Sequence, residues 1–202
     1  WDAGMDMYIY GKLGNLTMTK EGINVLMTNL TGKVPPILQR LDYIRFNGEA
    51  AGYLHDLTLT GLFHTGAGMV KTDVMMSIDE QSMSRTYSGS VASADLDLGK
   101  LLNQEKKFGK VDFNVELKGF NYKNRYPESY IKGIISSFEY SQYQYENIML
   151  DGVYKDGGFN GRLSMDDANG SVQIDGNFNV AKTIPDFNLK ASVKNLRPHD
   201  LH

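Results

Sequence analysis

Residues 150–180 read LDGVYKDGGFNGRLSMDDANGSVQIDGNFNV. Apolar and polar residues alternate through this stretch, as they do in strands that bury one face. Two breaks, KDGG at 155–158 and DANG at 167–170, carry the Asp-Gly and Asn-Gly pairs that favour tight hairpin turns. The stretch therefore predicts an antiparallel meander of strands joined by short turns.

The same period of two runs through much of the rest of the chain. VDFNVEL (111–117) places its apolar residues on one face and its acidic and amide residues on the other. LHDLTLTGLF (54–63) and VKTDVMMSID (70–79) show related alternation. Because the side chains of a strand point alternately to its two faces, we predict an all-β fold with an apolar and a polar sheet face.

Helical signals are confined to three short segments. PPILQRLDYI (35–44) has proline where the first turn of a helix accepts it, and DLGKLLNQ (97–104) offers Asp97 as an N-cap. EGINVLMTNL (21–30) fits either a helix or an irregular strand. We expect one or two short helices, and because no proline or glycine cluster marks a linker, residues 1–202 are predicted to form a single continuous unit.

Composition excludes several classes of protein. The 202 residues carry a formal net charge of −3 with scattered basic residues, which argues against a nucleic-acid partner. The chain has no cysteine, so disulfides, thiol catalysis and cysteine-ligated metals are excluded. No apolar run is long enough to span a bilayer. Since Trp1 opens the sequence without a signal peptide, we expect a segment excised from a longer protein.

Glycine recurs at the centre of a five-residue motif whose first and last residues are apolar. Eight of the 21 glycines stand in this position, more than the composition gives by chance. Glycine inside a strand costs stability unless it permits a bend or a close approach. We therefore expect these glycines to mark places where the sheet curves. The motifs are IYGKL (9–13), FNGEA (46–50), LTGLF (59–63), YSGSV (87–91), IKGII (131–135), LDGVY (150–154), FNGRL (159–163) and IDGNF (174–178).

Two interpretations of the apolar face stay open on the residues alone. In the first, the face is the core of a β-sandwich, which periodicity by itself favours. In the second, the glycines let the sheet curl into a gutter whose apolar concavity accepts acyl chains, since ligand sites are mostly apolar concavities.

The histidines do not predict a catalytic or metal site. His55 adjoins Asp56, but no nucleophile motif accompanies the pair. His64 is typical of a polar position at a strand end, and His199 and His202 give at most a weak metal pair.

The acidic residues do not predict catalysis either. Asp166 and Asp167 fall in a predicted turn, where Asp is favoured for backbone reasons, and DDANGS lacks the ligand spacing of a calcium loop. Glycoside hydrolysis needs two carboxyl groups across a cleft. We therefore predict a protein that is not an enzyme and needs no cofactor.

The segment FEYSQYQYEN (138–147) concentrates four aromatic residues. Such residues provide stacking platforms for sugars or bases, although without basic partners an ordinary aromatic strand face is favoured. This segment supports the alternative function, a β-sandwich or solenoid binding module of a surface adhesin or glycan-binding protein.

Two longer runs carry a shared set of features: DLDLGKLLNQEKKFGKVDFNVELKGF (95–120) and YENIMLDGVYKDGGFNGRLSMDDANGSVQIDGNFNV (145–180). The features are the short element DLGKLL, FGKV opening an alternating strand, an aromatic run leading into LDGVY, and FNGRLSMDDAN before a further strand. With these features the chain resembles the TamB-like proteins of the AsmA-like superfamily, in the form found in Bacteroidetes. The match covers about Ser84 to the end and is weaker over the first 80 residues.

The resemblance implies an elongated antiparallel sheet curled into an apolar groove, a β-taco-like fold, within a periplasmic protein anchored to the inner membrane by a segment absent here. It implies a non-enzymatic role in outer-membrane biogenesis, either phospholipid transport or translocation and assembly of outer-membrane proteins. The expected partners are phospholipid or acyl chains and, through regions outside this segment, a TamA-like outer-membrane barrel.

The residues expected to line the groove share the apolar face of the predicted strands. They are Ile9, Gly11, Leu13, Val111, Phe113, Val115, Leu117, Leu150, Gly152, Tyr154, Phe159, Gly161, Leu163, Met165, Val172, Ile174, Gly176, Phe178 and Val180.

Overall fold

Eleven strands and two α-helices make up most of the described chain. The computed structural model describes residues 8–32, 34–53, 55–79, 81–82, 84–121, 128–179 and 185–195. The strands are β1 (Tyr8–Thr19), β2 (Tyr43–Tyr53), β3 (Asp56–Thr65), β4 (Gly68–Asp79), β5 (Ser84–Asp97), β6 (Phe108–Asn121), β7 (Glu128–Tyr140), β8 (Tyr143–Lys155), β9 (Gly158–Asp167), β10 (Gly170–Asn179) and β11 (Asp186–Lys194). The helices are α1 (Lys20–Thr31) and α2 (Leu98–Leu102).

The strands form one antiparallel sheet in sequence order, β1 to β11, and the sheet is not closed. The predicted all-β antiparallel fold is thereby confirmed. The described strands belong to one sheet, whereas a β-sandwich has two separate sheets. Every pairing in this sheet is also antiparallel, unlike the parallel strands of a β-helix.

The predicted hairpin at KDGG is confirmed, with Asp156 at φ 51° and Gly157 at φ 76° between β8 and β9. Positive φ at both central residues is the type I′ geometry that suits the twist of paired strands. The hairpin at DANG is present but its central residues, Ala168 and Asn169, do not have positive φ. A second turn of the KDGG type was not predicted: Ser141 and Gln142, at φ 50° and 70°, separate β7 from β8. FEYSQYQYEN is therefore two paired strands, with Tyr140 opposite Tyr143.

Both helices lie at the same end of the sheet. A meander turns at alternate ends, and α1 joins β1 to β2 whereas α2 joins β5 to β6. The prediction for DLGKLLNQ is confirmed, because the Asp97 side chain accepts a hydrogen bond from Lys100 N at 2.8 Å as N-cap of α2. EGINVLMTNL is helical and lies within α1, whose C-cap Gly32 has φ 73°.

The prediction of a helix over PPILQRLDYI is correct only for one short turn. A 3-10 helix spans Leu38–Arg40, and Leu41 is already extended. Tyr43 then begins β2, because its alternating apolar residues pair with β1 and β3. Sheet pairing thus ends the helical tendency of this segment early.

The buried core lies where the helices meet the sheet. Its members are Ile23, Leu41, Ile44, Ala67, Leu96, Leu101 and Val111. Ile23 of α1 is the most buried of them, with 2% of its surface exposed. We call this the capped end of the sheet, and the opposite end, where Tyr154, Phe159 and Phe178 lie, the open end.

The chain exposes 13419 Å² of surface. A folded monomer of 22.6 kDa is expected to expose about 9,500 Å². The excess fits a broad sheet whose described residues are covered by helices at one end.

Candidate functional site on the apolar face

The strand registers place the predicted lining residues on one face of the sheet. For example, Leu13, Leu150, Leu163 and Ile174 belong to a single row that runs across the strands from β1 to β10. Facing residues in antiparallel strands point to the same side, so the predicted residues share what we call the inner face. Val180 is the exception, since it lies outside the described residues. That the inner face lines a lipid groove stays a prediction.

All eight motif glycines lie on the inner face, in two adjacent rows near the middle of the strands. The first row contains Gly11, Gly89, Gly152, Gly161 and Gly176. The second row, two residues further along each strand, contains Gly48, Gly61 and Gly133. The five-residue motif thus marks a pair of rows that runs from β1 to β10 and has glycine in eight of these strands; we call it the glycine stripe.

At the paired glycines Gly152 and Gly161 the backbones approach too closely for side chains. A Cβ atom added to Gly161 would lie 2.5 Å from Gly152 Cα and 2.4 Å from Asp151 O. Opposite Cβ atoms in an ordinary antiparallel pair are about 4.5–5.5 Å apart. The inner surface of the sheet is therefore compressed at this pair, as expected where glycine admits curvature.

Aromatic rings occupy the space that the glycines leave. A Cβ on Gly152 would meet Phe159 Cζ at 2.5 Å, and a Cβ on either Gly48 or Gly61 would meet the Phe46 ring at 2.6–2.7 Å. The rings therefore lie across the glycines, an arrangement known to protect strand glycines. The glycines therefore have a second role that was not predicted from the sequence: they leave space in which phenylalanine rings pack against the backbone.

Several inner-face residues were missed in the prediction of the lining. Phe46, Phe63 and Tyr87 share the rows of the predicted residues, and Phe46 packs against Phe63 with ring centroids 4.7 Å apart. The signal was present in FNGEA, LTGLF and YSGSV, which carry the same glycine motif. The predicted lining took residues from only four of the eight strands that carry the motif. Including the apolar residues of the other four strands would have added Phe46, Phe63 and Tyr87.

In the described part of the chain, helices close the inner face at one end only. At the capped end, α1, α2 and the 3-10 turn cover Ile44, Leu96 and Val111, which are at most 9% exposed. Lys100 of α2 donates hydrogen bonds to Asp42 Oδ2 at 2.9 Å and to Gly66 O at 3.1 Å. The hydrogen bond and charge of Asp42 raise the pKa of Lys100, and Lys100 lowers the pKa of Asp42. These contacts tie α2 to the segment before β2 and to the β3–β4 turn.

Towards the open end the same face forms an apolar cavity of about 400 Å³. Its wall is almost entirely hydrocarbon, and no charged side chain lines it. Beside it, Phe178 is 37% exposed and Phe187 of β11 is 59% exposed. The cavity is lined by Ile131, Leu150, Tyr154, Gly157, Phe159, Leu163 and Phe178. Apolar concavities of this size are typical of small hydrophobic ligands.

The outer face behind the glycine stripe carries a row of charges that alternate in sign from β6 to β11. Lys132 Nζ lies 3.9 Å from Asp151 Oδ2, and Arg162 Nε donates to Asp175 Oδ1 at 2.6 Å. Hydrogen bonds from Gln173 and Arg162 lower the pKa of Asp175. We call this row the charge ladder; it consists of Glu116, Lys132, Asp151, Arg162, Asp175 and Lys190. The outer face also has depressions, of about 420–600 Å³, whose walls combine charged side chains such as Lys118 and Arg162 with apolar ones such as Met75, Ile134 and Met149.

The prediction that Asp166 and Asp167 lie in a turn is wrong, because both residues end β9 and the turn itself is residues 168–169. A hydrogen-bonded network holds this turn. Tyr143 Oη donates to Asp167 Oδ2 at 2.8 Å, and Asn169 Nδ2 donates to Tyr143 Oη at 2.7 Å. Burial, followed by the bond to Asp167, raises the pKa of Tyr143. Asp167 also accepts from Asn169 N at 2.7 Å, so this carboxylate is engaged in holding the turn that joins β9 to β10.

The histidines considered in the sequence lie apart from the apolar cavity. His55 stacks on Tyr53 with ring centroids 5.3 Å apart, and His64 lies in β3 opposite Arg45 and Met69. His199 and His202 lie outside the described residues. Within the described part of the chain, no group of three or more His, Cys, Asp or Glu side chains is arranged to hold a metal ion. The described helices include none with the length and hydropathy needed to cross a membrane.

No family model matches the chain, and neither a curated protein nor a solved structure does.

Proposed function

We propose that this chain is a non-enzymatic segment whose inner face binds and guides apolar cargo, namely phospholipid acyl chains or apolar segments of outer-membrane proteins. The observation that carries the proposal is the apolar cavity of about 400 Å³ on the inner face, over which the described residues place no second sheet. Burial of hydrocarbon in such a cavity stabilises a complex by about 25 cal/mol for each Å² removed from water.

The glycine stripe supports a curled sheet. Eight of the strands place a glycine in one of two adjacent rows, and the backbone approach at Gly152 and Gly161 is too close for side chains. We propose that the sheet bends along this stripe into a β-taco-like groove. Because neighbouring strands are about 4.8 Å apart, eleven of them would extend such a groove over roughly 50 Å.

The family resemblance gives this proposal its biological setting. DLGKLL, which forms the capped helix α2, and the meander over 145–180 are the parts that resemble TamB-like proteins. On that basis we propose a place in the periplasm, in a longer protein anchored to the inner membrane. A TamA-like outer-membrane barrel would be its partner through regions outside these residues, and outer-membrane biogenesis its process.

The glycan-binding alternative has less support. Its aromatic residues pack on one another, with Tyr143 and Tyr145 centroids 4.6 Å apart and Phe108 and Tyr140 centroids 5.3 Å apart. Phe138 packs against the buried core at the capped end. Rings that pack on one another in this way stabilise the pairing of β6, β7 and β8, whereas a platform for sugars presents its flat faces to solvent.

A charge placed on the inner face tests the proposal. Leu163→Arg and Ile174→Glu put a charge into or beside the cavity, and burial of an unpaired charge is strongly unfavourable. We expect native mass spectrometry of gently purified protein to show phospholipid bound to the original chain and much less bound to either variant. Circular dichroism should show that the strand content is unchanged.

Asn160 provides the matched control, because it lies on the outer face of the same strand as Leu163 and is exposed. Asn160→Arg and Asn160→Glu should retain the bound lipid of the original chain. Equal lipid binding by folded Leu163→Arg and the original chain would refute a role for the inner face. A lipid-free protein that binds glycan arrays would favour the alternative.

A further inference from the structure

A pair of hydroxyl groups lies among the apolar side chains of the inner face. Tyr87 of β5 and Ser129 of β7 belong to the inner-face row that also contains Gly119 and Tyr154. The Tyr87 ring lies over Gly119, because a Cβ atom added there would meet Tyr87 Cζ and Oη at 2.7 Å. The ring thereby reaches across β6, and its hydroxyl forms a hydrogen bond with Ser129 Oγ.

The Tyr87–Ser129 pair has one hydroxyl proton more than its mutual bond uses. Each hydroxyl group carries one proton, either oxygen can be the donor, and no described residue accepts the second proton. Ser129 is 8% exposed, whereas Tyr87 is only partly buried. Because a donor without an acceptor is unfavourable away from water, the pair is ready to donate to a polar atom that arrives on the inner face.

The hydroxyl pair adjoins the apolar cavity. Ser129 pairs directly with Tyr154 and lies two residues before Ile131, and both of these residues line the cavity. Facing residues of adjacent antiparallel strands have their Cβ atoms about 5 Å apart, so the pair lies at the β7 side of the cavity. An acyl chain bound in the cavity can therefore bring its ester oxygen to the two hydroxyl groups.

Arg85 supplies a positive charge beside the hydroxyl pair. It lies two residues before Tyr87 in β5, opposite Ile78 and Asn121, and its register places it on the inner face. Among the described strand residues of the inner face, only Arg85 and Asp167 are charged. Asp167 holds the turn between β9 and β10. Arg85 is exposed and forms no ion pair with a described residue.

We propose that Arg85, Tyr87 and Ser129 anchor the head of an anionic glycerophospholipid whose acyl chain lies in the apolar cavity. Arg85 binds the phosphate, which a guanidinium group matches well, and the hydroxyl pair donates to an ester carbonyl oxygen. Alternate residues of a strand are about 7 Å apart, so the order from Arg85 through the hydroxyl pair to the cavity is the order of phosphate, ester and acyl chain in the lipid. The inference rests on the proposed binding of acyl chains by the inner face and names the class of lipid.

Two lipids with identical oleoyl chains test the phosphate contact: phosphatidic acid, and diacylglycerol, which has the same esters but no phosphate. In native mass spectrometry titrations, the full 202-residue chain should bind phosphatidic acid about three- to tenfold more tightly than diacylglycerol. This is the effect of charge-assisted hydrogen bonds to a cation that solvent screens. Arg85→Gln should abolish the preference and leave the affinity for diacylglycerol unchanged. Inorganic phosphate at the same concentration should not displace the lipid, because it has no acyl chain.

Two further variants separate the hydroxyl contact from general effects of charge and folding. Tyr87→Phe keeps the ring over Gly119 and removes the hydroxyl group, so it should weaken the binding of both lipids about threefold, the effect of one lost hydrogen bond. A purely structural role of Tyr87 would lower the melting temperature and leave both affinities unchanged. Lys118→Gln is the matched control for Arg85→Gln, because Lys118 is an exposed cation on the outer face of the adjacent strand β6. It should change neither affinity.

Three results would overturn the anchor. The first is equal binding of phosphatidic acid and diacylglycerol by the original chain, which would leave the acyl-binding role of the inner face intact. The second is an equal loss of phosphatidic acid binding in Arg85→Gln and Lys118→Gln, which would assign the preference to the overall charge of the chain. The third is a failure of both lipids to bind, which would overturn the proposed function together with the anchor.

Discussion

The capped end and the open end of the sheet share one alternating pattern but differ in burial. Leu96 and Val111 at the capped end are 7% and 4% exposed, whereas Phe178 at the open end is 37% exposed. All of them point to the inner face, so the difference does not come from the strands. It arises because α1, α2 and the 3-10 turn cover one end. The comparison shows that alternation decides which face a side chain takes, and that a second layer decides whether it is buried.

The largest expected effect is the difference in unfolding free energy lost when a leucine is truncated at the capped end and at the open end. Leu96→Ala removes a buried side chain from the core and should lower the free energy of unfolding by about 2–4 kcal/mol. Leu163→Ala makes the same change in a partly buried position beside the open cavity and should cost about 1 kcal/mol. Urea denaturation of the two variants measures both values. Equal losses would mean that the open end is packed as tightly as the capped end.

The second prediction concerns the glycine stripe between the two ends. Gly161→Val places methyl groups against the Gly152 backbone and should destabilise the sheet by about 1–3 kcal/mol, as overpacking does. Gly11 lies in the same row, but a Cβ there would meet only the Leu13 side chain, at 3.7 Å.

Gly11→Val is therefore the matched control for Gly161→Val. It should be neutral or slightly stabilising, because valine favours strands. Denaturation curves of Gly161→Val and Gly11→Val measure the two changes in the free energy of unfolding. If both substitutions were equally harmful, the loss would reflect strand glycine in general, and close approach at the stripe would not be its cause.

A smaller effect is expected from the helix caps at the capped end. Asp97→Ala removes the acceptor for Lys100 N, bonded at 2.8 Å, and should cost about 1 kcal/mol. Thr19→Ala removes a longer contact to Gly22 N, of 3.4 Å, and should cost less. Thermal melts followed by circular dichroism would rank the two variants. The reverse order would show that α1 contributes more than α2 to closing this end.

The smallest effect is a dependence of stability on acid pH. The bond from Lys100 lowers the pKa of Asp42, so its contribution is present above the ordinary Asp value of about 3.9. It is lost as the pH falls through the lowered folded value. The stability difference between the original chain and Asp42→Asn should therefore be constant from pH 5 to 7 and shrink towards pH 2.

Lys100→Gln supplies the control for this titration, because it removes the charged partner of Asp42 and leaves the carboxylate in place. In a Lys100→Gln background, Asp42→Asn should no longer show this acid profile. An Asp42→Asn difference that stays constant down to pH 2 would exclude the Lys100 pair as its source.

Much of the sheet was predictable because its signals are local. KDGG specifies its own turn through residues that tolerate positive φ, and DLGKLL specifies its helix through Asp97. The turn at Ser141–Gln142 was missed because neither residue is typical of a type I′ turn. The helix over 35–44 was overestimated because the pairing of β2 with two neighbours outweighs local helical preference.

The sequence predicted which residues belong to the candidate site, but not which of them contact each other across the strands. Leu150, Leu163 and Ile174 were assigned to one face from alternation, and the registers put them in one row. The seating of Phe46 and Phe159 over glycines and the line of the charge ladder depend on which residue faces which across strands. The contacts of Phe46 with Gly61 and of Phe159 with Gly152, like the ladder, join neighbouring strands, so alternation within one strand does not specify them.

By itself, the sequence determined that the chain is all-β, which residues share the inner face, and where several of its hairpins turn. Those properties follow from the two-residue repeat of a strand and from the backbone preferences of glycine, aspartate and asparagine. The tertiary structure decided that eight separate glycine motifs form one stripe, that the helices cover one end only, and that the charges meet in one ladder ending at Lys190. Each of these depends on cross-strand register and on packing between segments far apart in the chain, and both are settled only when the whole sheet forms.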